Sequence, residues 1–206
     1  MLTVWGRNNS INVQKVMWTV AELGLEHQRH DVGRQFGGLD TVEFRAMNPN
    51  GLIPTIDDDG TIVWESNAVV RYLAAEYGAG SLWPEDVAAR AAADRWMDWM
   101  LGAIIPPMAP VFVGLIRTPP EDRDGAAIAA GAELMTGNWR ILDEHLAATP
   151  YVAGADLTMA DLPLGCACYR YYALDIPHPD MPHLMAWYER LQAREAYREH
   201  VMIELS

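Results

Sequence analysis

A mixed α/β unit leading into an all-helical one is the fold class this sequence predicts, on three observations. Short β-branched or aromatic runs, "LTVW", "LIPTID" and "TIVW", lie before residue 65 and alternate with segments of helical spacing. From residue 79 onward no convincing strand occurs, and apolar residues recur at helical intervals. Between the two parts, "AGSLWPED" carries a proline and an acidic pair suited to starting a helix. The predicted division is 1–78, a linker at 79–85, and 86–206.

In chain order, "LTVW" reads as a strand and 13–23 as a helix, with Val13, Val16, Met17 and Val20 in helical register and Gly24 as its stop. "EHQRHDV" supplies a second strand. "GRQFGG" is a loop, and 40–47 a short helix ended ahead of Pro49. "LIPTID" and "TIVW" are strands joined at "DDDG", a hairpin signal, and "ESNAVVRYLAAEYG" is a helix closed by Gly78. That order makes a small mixed sheet with helices on both faces, the thioredoxin-like pattern. Beyond the linker, helical runs occupy 86–115, 122–148, 159–174, 182–192 and 194–200. Pro106, Pro107 and Pro110 are expected to kink or break the first of these.

The 206 residues are half apolar, which suffices for a real core. A net charge of −13 argues against nucleic acid as a partner, because such binding rests on neutralising phosphates. Residues 1–78 hold six basic and ten acidic side chains, and 79–206 nine and eighteen. Contacts to an anionic substrate must therefore be local to the first part. No apolar stretch approaches the ~20 residues that span a bilayer, and no basic-then-apolar start marks a secretory signal. A cytoplasmic protein without membrane contact is the expectation. Lys15, the single lysine, reads as genomic composition without functional weight. Cys166 and Cys168 match neither redox nor zinc spacing, so buried reduced thiols and no metal site are expected.

Residue types that carry chemistry gather at two helix entrances. "GRNNSINVQKVMW" places Asn8, Asn9, Ser10 and Asn12 ahead of a helix that needs a single cap. "ESN" opens another, where free N–H groups and the Ser66 hydroxyl suit a carboxylate and Glu65 can accept from an ammonium. A plain helix cap uses the same residue types. Pro54 in "GLIPTI" removes a ladder donor. A cis Ile53–Pro54 bond would turn the Ile53 backbone outward to pair with an extended peptide, while an ordinary edge proline leaves the same sequence. In "GADLTMADL", Thr158 and Asp161 have the spacing of a capping box, which is folding chemistry.

Taken in order, the polar strand-to-helix turn, "NPNGLIPTI", "ESNAVVRYLAAEYG" and the helical second part resemble the soluble glutathione S-transferase family over the entire chain, in its bacterial theta-, nu- and beta-like forms. The resemblance implies a homodimeric detoxification enzyme. It would bind glutathione as co-substrate, stabilise its thiolate and present it to an electrophilic, largely apolar molecule. Ile53 beside Pro54 would then pair with the cysteinyl residue, Glu65 and Ser66 would hold the γ-glutamyl end, and Asn50 and Gln35 would approach the glycyl end. Gly51 stands where theta-like relatives carry a histidine.

Ser10 falls where theta-like relatives place a catalytic serine, and Asn12 where a nu-like group places a catalytic asparagine. No tyrosine lies near this turn, which excludes the tyrosine mechanism of other classes; Asn8 and Asn9 read as caps. In the second part the resemblance implies a pocket lined by Trp96, Trp99, Met100, Ile104 and Met108, although a Met and Trp stripe also makes plain core. It also implies that Asp98 reaches the partner's ligand. Two alternatives stay open: glutathione-dependent disulfide reduction, and a non-catalytic ligand-binding or protein-assembly member.

Overall fold

The computed structural model of the chain describes residues 1–206. Strands β1 (Leu2–Trp5), β2 (His27–His30), β3 (Thr55–Asp58) and β4 (Thr61–Trp64) form one sheet in the order β2-β1-β3-β4. β2 runs parallel to β1, so the chain needs a crossover between them, which helix α1 (Ile11–Glu22) supplies. The β1–β3 and β3–β4 pairs are antiparallel. Gly60 turns the β3–β4 hairpin at φ 97°, and its N–H donates to Asp57 Oδ1 at 2.7 Å. Helices α2 (Val42–Met47) and α3 (Ser66–Tyr77) complete the first part.

The second part consists of helices: α4 (Val87–Trp99), α5 (Ile105–Phe112), α6 (Gly125–Leu146), α7 (Asp161–Ala173), α8 (Pro182–Gln192) and α9 (Glu195–His200). Helix α1 ties the parts together because it is buried on two sides. Val13, Val16, Met17 and Val20 pack with Leu2, Val4 and Ile56 of the sheet. Trp18 instead belongs to the large helical core, edge-on to Tyr197 of α9 with ring centres 4.7 Å apart. A side chain at Gly165 of α7 would come within 2.7 Å of the Trp18 ring, so the glycine makes room for that packing.

The three prolines do not break their helix. Val87–Arg117 runs as one 31-residue helix, with wide π turns at Met100–Ile104 and Val113–Arg117 flanking α5. Pro107 has no N–H to give the carbonyl of Ala103; Asn138 Nδ2 of α6 donates to that carbonyl instead, at 2.6 Å. The expectation about apolar length is corrected here as well. This helix contains an 18-residue window of mean hydropathy 1.8, long and apolar enough to cross a membrane by those measures. Interspersed glycines and prolines hide the run from simple inspection, since they interrupt the pattern but lower the mean little. Within this fold, Met97, Met100, Ile104, Met108, Val111 and Phe112 of that helix join the core.

At the start of α7, Asp161 is wholly buried and its carboxylate is saturated. One oxygen accepts from the N–H of Val152 and from Trp187 Nε1, the other from the N–H and hydroxyl of Thr158, all within 3.3 Å. The carboxylate arm of the predicted capping box is therefore made. The threonine hydroxyl accepts from Ala160 rather than from Asp161. Cys166 and Cys168 are free and buried, and burial pushes the Cys166 thiol up to about 12.

Candidate active site

Three backbone features converge on one end of the sheet. The turn after β1 delivers Ser10, which has extended dihedrals (φ −86°, ψ 124°) as the residue before α1, yet its side chain makes no capping bond. Ser10 is 9% exposed, and its hydroxyl has no partner within the chain. Ahead of β3, the Ile53–Pro54 bond is cis, and neither the N–H nor the C=O of Ile53 is hydrogen-bonded within the chain. At the start of α3, Glu65 takes a left-handed φ of 70°, a sparsely populated conformation for a non-glycine residue and one that clusters at ligand sites. Unengaged donors and acceptors thus remain at two helix starts and on the residue before the cis proline.

Beneath them lies a polar network that sequence reasoning missed. Lys15 is completely buried, and its ammonium donates to Asn12 Oδ1 (3.1 Å), Asn67 Oδ1 (3.2 Å) and Ser66 Oγ (3.3 Å). The Ser66 hydroxyl in turn donates to Asn12 Oδ1 at 3.2 Å, and Asn67 Nδ2 to the carbonyl of Met97 on α4. No carboxylate is bonded to Lys15. Burial pulls its pKa down from 10.5 to about 8; the Arg170 guanidinium adds to the fall and the Glu65 carboxylate opposes it. The register of Val13, Val16, Met17 and Val20 gave no signal for it, because Lys15 lies on the opposite side of α1, which is buried only because that helix is covered on two sides.

The remaining predicted residues divide. Asn12 and Ser66 meet directly through that network, whereas Ser10 and Glu65 stand outside it. Gln35 is exposed in a short turn, Arg34–Phe36, and makes no hydrogen bond. Asn50 is also exposed, but its N–H and Nδ2 both donate to Asn48 Oδ1. At Gly51 (φ 62°) an added Cβ would sit 2.5 Å from the guanidinium carbon of Arg45. Arg45, anchored on the Pro49 carbonyl at 2.7 Å, thus covers the space that a histidine would take, and sequence reasoning overlooked it. Asn8 and Asn9 do not cap α1: the Asn9 carbonyl accepts from Arg170, and its Nδ2 donates to the Ser206 hydroxyl.

The hydrophobic stripe sits deeper than a pocket lining requires. Met100 and Ile104 are 0% exposed and Met108 is 3% exposed, all inside the helical core. Their helical spacing turns them onto α6 and its neighbours, so these three are core residues. Trp96 is nearly buried, and Trp99 retains partial exposure at its edge. Asp98 shares Arg71 of α3 with Asp94, an ion-pair cluster within the chain.

A small mixed sheet with a cis proline at the entrance to a central strand, joined through α1 to a helical bundle, defines the thioredoxin-like plus all-α architecture of glutathione transferases. Family models for the glutathione S-transferase N-terminal and C-terminal domains match residues 9–76 and 125–190. The chain belongs to that family. It is 42% identical to glutathione S-transferase GstB of Escherichia coli, with 100% of each chain covered. It is 28% identical to glutathione S-transferase 3 of Zea mays over 97% of this chain and 93% of that one. A crystal structure of a theta class glutathione S-transferase from Xanthomonas axonopodis pv. citri, with glutathione bound, superposes with a TM-score of 0.96 at 44% identity, covering 100% of this chain and 99% of that one.

Proposed function

We propose that the protein is a glutathione transferase whose Ser10 hydroxyl donates to the glutathione sulfur. The observation that carries this reading is the free hydroxyl at the start of α1, at the same end of the sheet as an Ile53 backbone with no partner of its own. Ile53 beside Pro54 would pair with the cysteinyl residue as an added strand. Glu65 and Ser66 at the head of α3 would hold the γ-glutamyl end. Arg45 would supply the charge for the glycyl carboxylate, with Asn50 and Gln35 as further contacts. Residues 1–78 would thus hold glutathione. Residues 86–206, reached through the linker 79–85, would present the electrophile against the Val87–Arg117 helix, with Trp99 at its partly open edge. A cytoplasmic homodimer with a detoxifying role accompanies this reading.

The energetics close. Lowering a thiol pKa by ~2 units from ~8.5 takes about 2.7 kcal/mol in favour of the thiolate. A hydrogen bond to a charged group contributes about 1.5–3 kcal/mol, and a helix N-terminus about 0.3–1 kcal/mol more. Lys15 adds a positive charge beneath Asn12, in a dry setting where charge acts over longer range. Thiolate absorbance against pH tests the assignment in Ser10→Ala, Asn12→Ala and the double variant, each saturated with glutathione. Ser10→Ala should raise the thiol pKa toward its free value and slow conjugation at neutral pH about ten-fold for each ~1.4 kcal/mol lost. A normal titration in Ser10→Ala with a large shift in Asn12→Ala would transfer the role to the asparagine. That result would favour glutathione-dependent disulfide reduction, the alternative that Asn12 and the two buried, unreactive cysteines leave open.

A further inference from the structure

The chain's single lysine, Lys15, is wholly buried, and no carboxylate is bonded to its side chain. An ammonium has three donors and no acceptor, so every neighbour must turn an oxygen toward it. All three do. Asn12 and Asn67 present Oδ1 at 3.1 and 3.2 Å, and Ser66 presents Oγ at 3.3 Å. What each neighbour has left over is a donor. Asn67 places its Nδ2 on the carbonyl of Met97 at 2.9 Å, which fixes the network to α4. Half-buried Asn12 keeps its Nδ2 without a partner in the chain. The Ser66 proton cannot point at an ammonium and turns away from it, where Asn12 Oδ1 accepts it at 3.2 Å.

A neutral amine in the same place would reverse that direction. Its lone pair accepts, and the nearby Ser66 hydroxyl would turn its proton inward to the nitrogen. The direction of the Ser66 proton thus follows the charge on Lys15. Among the ionisable groups facing the ammonium, Arg170 of α7 adds to the effect of burial and Glu65 at the head of α3 opposes it. The Cys166 thiol of α7, pushed up to about 12 by burial, stays neutral. None of these three is bonded to Lys15. A buried cation without a counter-charge costs free energy until an anion offsets it, and glutathione carries two carboxylates.

We infer that Lys15 is a positioning residue of the glutathione site, whose ammonium holds the Ser66 oxygen inward so that the hydroxyl proton is offered to the γ-glutamyl carboxylate, and whose charge balances that carboxylate from beneath. The inference rests on the glutathione transferase reading and adds to it a residue that acts through Ser66 without touching the ligand. On binding, the Ser66 proton leaves the neutral amide oxygen of Asn12 for a carboxylate, a stronger acceptor. The Lys15 bond to Oγ stays in place, and only hydrogen bonds are exchanged.

The test uses S-methylglutathione, which has no thiol to ionise, and its 4-aminobutyryl analogue, which lacks only the γ-glutamyl carboxylate. By calorimetry at about pH 6.5, Lys15→Met should weaken the first ligand about ten-fold and leave the second within about two-fold. Combined with Ser66→Ala, it should lose much less than the product of the two single losses, because one acts through the other. The ratio of parent to Lys15→Met affinity for S-methylglutathione should be constant up to about pH 8 and fall above it, as the ammonium of the free protein loses its proton. The ligand's own amine titrates with both proteins and cancels from the ratio. If Lys15→Met does not fold, Ser66→Ala replaces it in that ratio, with the same fall expected because the hydroxyl serves the ligand only while Lys15 is charged. Equal losses for the two ligands, or a ratio independent of pH, would overturn the inference and leave the transferase reading standing. A parent that bound neither glutathione nor its S-methyl ether would sink the transferase reading, and the inference with it.

Discussion

Two buried polar clusters in this molecule use the same residue types at the starts of helices and have different characters. At the head of α7, Asp161 spends all its capacity: each carboxylate oxygen accepts two hydrogen bonds. At the heads of α1 and α3, capacity is left over. The Ser10 hydroxyl has no partner, Ile53 keeps both backbone groups free, and the Lys15 ammonium meets only neutral acceptors. A saturated cluster stabilises a fold, whereas an unsaturated one is built for a ligand that completes it.

The largest expected effect lies on the saturated side. Asp161→Ala strands the Val152 and Thr158 N–H groups and the Trp187 indole in the core, and should cost about 3–5 kcal/mol in urea unfolding. A loss near ~1 kcal/mol, the value of an ordinary cap, would mean the cluster relaxes or admits water. Enzyme that remains folded should keep its activity per site.

Next comes Lys15. Its folded-state pKa of about 8 lies below the unfolded value of 10.5, so between these values the unfolded chain binds more protons. Stability should therefore rise with pH across that window, by about 3 kcal/mol at most, and be flat below it. Lys15→Met should abolish the rise, and subtracting its pH profile from the parent's removes the tyrosine titrations common to both. A flat difference from pH 8 to 10.5 would place a counter-charge beside the ammonium.

The smallest effect separates ligand contact from folding at the head of α3. Glu65 is exposed and outside the network, so Glu65→Ala should weaken glutathione binding about ten-fold with stability within ~0.5 kcal/mol. Ser66→Ala should lose affinity and some stability together, because that hydroxyl also bonds Lys15 and Asn12. Calorimetry beside urea unfolding distinguishes the two. Identical behaviour of the two variants would erase the boundary drawn here between network and ligand-facing residue.

The sequence by itself determined what depends on local chemistry. Short β-branched or aromatic runs and helical spacings placed the strands and helices of the sheet part, because these patterns follow backbone geometry over a few residues. "DDDG", Gly24 and Gly78 marked turns and stops, and the order of elements, with "NPNGLIPTI", pointed to the family. Tertiary structure decided which of the candidate groups are engaged. Pro107 sits inside a continuous helix because Asn138, from a helix distant in sequence, donates to the carbonyl the proline leaves free. Met100 and Ile104 became core because α6 covers them, and Arg45 fills the space over Gly51. Lys15 looked like composition until α3 brought Ser66 and Asn67 around its ammonium. Burial, pKa and hydrogen-bond saturation are sums over neighbours far apart in the chain, and the order of residues carries those sums only once the chain has closed on itself.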